Sequence, residues 1–285
     1  MIQYIREKTT IIEVDMFNLQ HILYMVISFG LSGVLVFFGK KYIKTDAGHD
    51  KIIRFLAVIT VLIHISTLWV HFFLNAGVVE VEDNMLIPIY PCNVIMWMLV
   101  IVSAMRRRGG VVYRILSEFT CLGGIVCGFI GIFLNANFDS NPTLADYDIL
   151  KGMLSHSTML LGCIWLLSAG IVKIRMRNVL SAVCGLLVFL FDGLAVNSLF
   201  AKYGIEECNS MYLLEPPFES MPWLTTVVMG IAGVSVAIIL ATVYEKLVLK
   251  KKWTDIFSLS SILGDDIIKQ KDTATVEEIN TDNDN

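Results

Sequence analysis

The feature that most restricts this chain is its succession of apolar runs, each near twenty residues, separated by short charged connections whose sign alternates. A helix of about twenty apolar residues crosses the hydrocarbon of a bilayer. Within that hydrocarbon every backbone polar group must be satisfied internally, which leaves helices and closed barrels as the spanning structures. The runs predict seven helices, at approximately 17–38, 53–73, 86–105, 113–134, 149–172, 179–200 and 223–247. Basic residues follow the odd-numbered runs: Lys40, Lys41, Lys44, Lys51 and Arg54; Arg106, Arg107, Arg108 and Arg114; Lys173, Arg175 and Arg177; Lys246, Lys250, Lys251 and Lys252. The remaining connections are acidic, with Glu80, Glu82 and Asp83, then Asp139, Asp146 and Asp148, then Glu206, Glu207, Glu215 and Glu219 against Lys202 alone. Short loops rich in Lys and Arg stay cytoplasmic.

The expected fold class is therefore all-α, a polytopic membrane protein of seven transmembrane helices with its N-terminus outside and its C-terminus cytoplasmic. Composition agrees: 55% of residues are apolar and 17% charged, against about 45–50% and 25% in soluble proteins. That excludes a separable soluble enzyme or nucleic-acid-binding domain, so membrane lipids are the expected partners and the cell membrane the expected site. The organisation predicted is an extracytoplasmic segment 1–16, a membrane domain 17–247 and a cytoplasmic tail 248–285, whose polar end has almost nothing to bury. Arg6, Glu7, Lys8, Glu13 and Asp15 interrupt the start, so no cleavable signal peptide is expected and the first run serves as the insertion signal.

Chemistry is concentrated where polar residues enter these runs. The third opens Leu86-Ile-Pro-Ile-Tyr-Pro-Cys-Asn-Val-Ile-Met-Trp97, an expensive sequence to expose to lipid, and one that should face the protein interior or a wet cavity. Cys92 lies roughly 9 Å inside the outer end of its run, and His156 roughly 10 Å inside the outer end of the fifth, taking ~1.5 Å per residue. Thr60, His64, Thr67 and His71 form one stripe on the second run. His21, Asn197 and Asp192 are the other intramembrane polar residues. Singly, such side chains more often bond a neighbouring helix than do chemistry. Gly124, Gly128 and Gly131 on the fourth run, with Ser28, Gly30 and Gly33 on the first, have the spacing that lets helices approach closely.

Three readings of the cysteines stand side by side. Free cysteine is a small buried hydrophobe, the natural account of Cys121, Cys127, Cys163 and Cys184. A Cys92–Cys208 disulfide is conceivable at an oxidising exterior if the last outer loop folds inward. The third reading makes Cys92 a nucleophile, since a thiol near a helix start gains from unsatisfied N–H groups and a histidine can remove its proton. Asn93 and those N–H groups are candidate oxyanion donors.

Two blocks carry a resemblance. Ile87-Pro-Ile-Tyr-Pro-Cys92-Asn resembles the Leu-Pro-Leu-His-Leu-Cys signature of the bacterial YwaF-like integral membrane family. Asn209-Ser-Met-Tyr-Leu-Leu-Glu-Pro-Pro217, followed by Pro222-Trp223, resembles the Asn-Tyr-Met-Tyr-Leu…Pro…Trp-Pro-Trp block before that family's final helix. The family is similar to a vertebrate transmembrane acyltransferase of ether-phospholipid remodelling, thought to work through a cysteine thioester. The resemblance implies Cys92 as nucleophile and His156 as base; His71, Tyr90, Asn93, Asn197 and Asn209 are the supporting or substrate-binding candidates. Tyr90 stands where the family usually has histidine, so activation would lean on His156 or His71. The function expected is a lipid acyltransferase or acyl hydrolase without cofactor or metal. The alternative is a non-enzymatic binding protein or small-solute transporter using the same cavity, which predicts a polar path past His64 toward the cytoplasmic side.

Overall fold

The computed structural model describes residues 17–74, 86–105, 110–135, 138, 143–204, 208–217 and 221–263. Segment 1–16 and the end of the tail lie outside these. All the described secondary structure is helical. In chain order the helices are α1 (Leu19–Tyr42), α2 (Asp46–His64), α3 (Thr67–Leu74), α4 (Pro91–Ala104), α5 (Val111–Phe133), α6 (Tyr147–Ser168), α7 (Asn178–Lys202), α8 (Thr226–Val243), α9 (Trp253–Ile256) and α10 (Leu259–Leu263). A 3-10 turn spans Ser210–Tyr212, and α8 continues into a π turn, Tyr244–Val248.

Five helices are long and apolar enough to cross a membrane: Leu19–Tyr42, Val111–Phe133, Tyr147–Ser168, Asn178–Lys202 and Thr226–Val248. The two other expected crossings look different in the structure. The second divides at Ile65–Ser66, where the Ser66 hydroxyl donates to the Ile63 carbonyl and competes with helix continuation. The third becomes helical only at Pro91, at N1, where a missing N–H costs nothing. Leu86–Tyr90 before it is non-helical.

Local signals explain most helix ends. Asn18 caps α1 by accepting from the His21 N–H, and Asp146 caps α6 by accepting from Asp148 and Ile149. Gly170 and Gly204 adopt φ of 74° and 77° just past α6 and α7, the left-handed conformation that ends a helix.

Between helices in lipid the hydrophobic effect supplies little attraction, so close packing and interhelical hydrogen bonds must hold the bundle. The α5–α6 pair shows both. A Cβ on Gly124 would overlap the Cys163 sulfur, and one on Gly128 would stand 2.8 Å from the Leu160 Cβ. Cys121 Sγ donates to the Cys163 carbonyl at 3.4 Å, and Cys163 Sγ donates to Thr120 at 3.3 Å. These two cysteines are structural. On the same glycine-lined face α4 meets α5 through Ile95, which packs against Gly123 and Gly124. The α1 helix docks on α6 by hydroxyl contacts of Ser28 and Tyr24 with Ser157, both 2.8 Å, and on α5 through His21 Nε2 and the Ile132 carbonyl, 2.7 Å. Of the small residues on the first run, Ser28 makes the contact; Gly30 and Gly33 face open space.

Candidate active site

Cys92 is the second residue of α4; in this first turn Pro91 has no N–H, and those of Asn93 and Val94 donate to the Tyr90 carbonyl at 2.9 and 3.3 Å. The Cys92 N–H and the helix dipole are what this turn offers to negative charge. Asn93 fixes the turn. Its Oδ1 accepts from the Tyr90 N–H at 3.0 Å, and its Nδ2 lies 3.3 Å from His64 Nε2. The expected oxyanion donor is thus engaged as a cap and as a tie to α2. Below His64, Thr60 bonds back to the Leu56 carbonyl, and the same face continues as the buried Ala57, Leu56 and Ile53. The polar stripe stops there. The backbone of His71 belongs to α3, but its side chain lies outside the described residues.

The antiparallel α4–α5–α6 packing sets the levels of the two principal candidates. Ile95 sits over Gly123 and Gly124, which puts Cys92, one turn earlier, level with Cys127, one turn later. Cys127 and Cys92 lie within electrostatic reach of each other. The His156 ring rests on Gly131, one further turn along the same face of α5. By this register Cys92 and His156 stand about a turn apart along α5, with Gly131 beneath the imidazole and no hydrogen bond joining the two among the described residues. His156 Nδ1 is 2.7 Å from the Gly152 carbonyl, which can only accept. The proton is therefore on Nδ1, and Nε2 carries the lone pair a general base needs.

Over this region lies the 208–217 loop. Asn197 holds it at two points: its Oδ1 accepts from the Ser210 N–H at 2.7 Å and its Nδ2 donates to the Ser210 carbonyl at 3.3 Å. Met211 N–H and the Ser210 hydroxyl both donate to the Ile89 carbonyl, at 2.8 and 3.0 Å, tying the loop to the segment before α4. Thr226 at the start of α8 donates to the Met211 and Tyr212 carbonyls. Asn209 closes the loop on itself, donating to the Glu215 carbonyl and accepting from Leu214 and Glu215. Within this frame Met211 and Tyr212 both take φ of 54°, a conformation that non-glycine residues adopt at a cost of about 1–3 kcal/mol each.

The result is the placement of Tyr212, whose ring stacks on Tyr90 at 5.3 Å. Burial, and after it the neighbouring Cys92 thiol, the Tyr90 phenol and the Cys127 thiol, push the Tyr212 phenol above its ordinary range. It is an O–H donor at any physiological pH. Tyr212 lies within the Asn209–Pro217 stretch, where the sequence alone assigns it no role. The available signal was an aromatic residue in a loop bounded by Asn209 and two prolines.

No disulfide joins Cys92 to Cys208 among the described residues; Cys208 packs against the cluster of Ile89, Val196 and Phe200. Asp192 is half-buried, and its Oδ2 has no hydrogen-bond partner among the described residues. Lys151, another residue not singled out from sequence, is buried and donates to Thr67 at 2.7 Å beside Asp148 at 3.6 Å. Among the described residues no three His, Cys, Asp or Glu side chains gather as a metal-binding group.

The model of the TMEM164 family matches residues 16–244, from the start of α1 through α8 and including every residue of this site. The chain belongs to the TMEM164 family. That match covers the apolar helices and makes this a TMEM164-family membrane protein; it does not single out the YwaF-like type that the sequence blocks suggest. No curated protein and no solved structure matches it.

Proposed function

We propose that this TMEM164-family protein is a lipid acyltransferase or acyl hydrolase that forms a thioester on Cys92, with His156 as base. The observation that supports it best is the joint position of a first-turn cysteine and an Nδ1-anchored histidine along α5, beneath a strained, cross-tied loop. The likeness of the two sequence blocks to the YwaF-like family, and through it to a cysteine acyltransferase, motivates the choice of acyl chemistry.

In this reading His156 Nε2 takes the thiol proton and Cys92 Sγ attacks the ester carbonyl of a phospholipid. The carbon–sulfur bond forms, the carbon–oxygen bond breaks, and the imidazolium returns the proton to the departing lysolipid hydroxyl. An acceptor alcohol, or water, then attacks the thioester and restores the thiol. Charge on the carbonyl oxygen is met by the Cys92 N–H and by the Tyr212 hydroxyl. We further read the chain as crossing seven times with its N-terminus outside. The divided α2–α3 pair and the segment from Leu86 through α4 add two crossings to the five long helices, and the site opens to the outer leaflet. The transporter alternative loses support where α2 turns apolar below Thr60.

The test is to incubate purified protein with phosphatidylcholine carrying a radiolabelled acyl chain, and to look for label on the protein that neutral hydroxylamine releases. Wild type should be labelled and Cys92→Ala blank. Undiminished label on Cys92→Ala would remove the nucleophile.

A further inference from the structure

The opposite, basic end of the bundle holds a cleft remote from Cys92. The α6–α7 connection and the C-terminal segment border this half-open cavity of about 300 Å³, lined by Lys173, Arg175, Arg177, Glu245, Lys251, Ser260 and Ser261. A neighbouring cavity of about 340 Å³ shares Lys173 and Arg175 and adds Lys40 and Tyr244. Basic residues at this end are ordinary, since they set orientation, and most such side chains simply extend into water. Here they surround a space, because the chain after α8 folds back beneath the bundle. Ile256 of α9 is fully buried against Met176 and Ala241, which brings Ser260 and Ser261 of α10 opposite the α6–α7 connection. The π turn contributes too. It carries Glu245 to full burial, where Glu245 Oε1 pairs with Lys251 Nζ at 3.1 Å and its carbonyl accepts from the Lys251 N–H.

Charge accounting then distinguishes the lining cations. Lys251 is matched by Glu245, which also lines the cavity, and Arg177 by the buried Glu118 at 3.5 Å. Lys173 and Arg175 face no carboxylate among the described residues. Two cations without a carboxylate, Lys173 and an Arg175 guanidinium whose Nη1 also donates to the Ile174 carbonyl at 3.0 Å, stand beside the hydroxyls of Ser261 and of Ser260, the latter 3.1 Å from Ser258 Oγ. A phosphate monoester carries about −1.5 to −2 charge at neutral pH and three acceptor oxygens, and a guanidinium fork fits such oxygens in pairs. The volume is at the small end of ligand sites, enough for a headgroup and too small for a nucleotide with its base enclosed. We propose that this cavity binds a phosphate group, free in solution or at the head of an anionic lipid.

The full chain, reconstituted in phosphatidylcholine nanodiscs, is titrated with inorganic phosphate by calorimetry. In parallel, nanodiscs containing a few mole per cent of phosphatidate are analysed by native mass spectrometry for retained lipid. Binding of inorganic phosphate identifies a soluble-phosphate site, and retention of phosphatidate alone identifies a headgroup site; either supports the proposal. The double variant Lys173→Gln/Arg175→Gln should weaken the observed binding about tenfold or more, as expected for losing charge-assisted hydrogen bonds. Lys250→Gln/Lys252→Gln removes the same charge from outside the cavity and should leave binding within about twofold. Binding in neither arm, or equal losses in the two double variants, overturns the site. Neither outcome bears on acyl labelling of Cys92.

Discussion

Substituting Gly131 by alanine tests the placement of His156 without touching either reacting residue. The new methyl carbon would overlap Cδ2 and Nε2 of the imidazole and stand 2.6 Å from its Cγ. Carbon atoms rest about 3.5–4.0 Å apart, so the ring, whose Cδ2 would stand nearest the new methyl, must retreat by about 1.5 Å. The 2.7 Å bond from Nδ1 to Gly152 would lengthen to roughly 4.2 Å, beyond hydrogen-bond range, and the proton that fixes the tautomer would lose its acceptor. A catalytic group displaced by about 1 Å costs on the order of 10²-fold in rate. Overpacking also costs roughly 1–3 kcal/mol of stability, so a control with the same defect elsewhere is needed. Gly124→Ala provides it: that Cβ would overlap the Cys163 sulfur and stand 3.0 Å from Ile95 Cγ2, on the same α5 surface but about 10 Å further along. Thermal unfolding should show similar losses for both variants, while single-turnover formation of hydroxylamine-labile acyl-protein falls about a hundredfold in Gly131→Ala alone. Equal labelling rates in the two variants would show that His156 is not the base.

Tyr212→Phe keeps the stack on Tyr90 and removes the hydroxyl; acyl-enzyme formation should slow by roughly 10²-fold, the usual loss for one oxyanion donor. The same variant carries a pH signature. Because the folded chain holds the Tyr212 proton above the ordinary value of 10.0, its stabilising contribution is complete below pH 10 and is lost as pH rises above it; wild type should lose more thermal stability between pH 9 and 11 than Tyr212→Phe, and parallel curves would refute this. Asn197→Ala leaves the buried Ser210 N–H without its acceptor, a loss of about 1–3 kcal/mol, and should accelerate maleimide alkylation of Cys92 in a chain lacking the other cysteines. Arg177→Met strands the buried Glu118 carboxylate, leaving it only the Ser181 hydroxyl at 2.6 Å, so it should cost about 3 kcal/mol and lower the unfolding temperature more than Glu118→Gln does.

The alternating loop charges made the long crossings legible, because length and hydropathy alone define a lipid-spanning helix. The break at Ile65–Ser66 was not, since one serine in an apolar run hardly changes hydropathy while its hydroxyl redirects the backbone locally. Pro91 did signal that the third crossing starts differently, and Cys92 at its first turn could be read from that proline. The role of Asn93 could not: its spacing from Tyr90 suits a cap, and its polarity suits an oxyanion donor equally well. Tyr212 was hidden for another reason. Met211 and Tyr212 are among the residues least expected at positive φ, and only the ties from Asn197, Ile89 and Thr226, distant in sequence, hold them there. Lys151 likewise reads as an anomaly inside an apolar run until Thr67 and Asp148 are seen around it.

The 208–217 loop is fastened to α7, to the strand-like lead into α4 and to the first residue of α8, three parts of the chain that would have to separate before it could lift. If acyl transfer is the activity, a roof anchored in this way favours a substrate that slides in sideways from the bilayer between helices, tail and all. On the acyl-transfer reading, the same roof keeps bulk water from the thioester long enough for a second lipid to arrive, which favours exchange of chains between lipids over their release as soap.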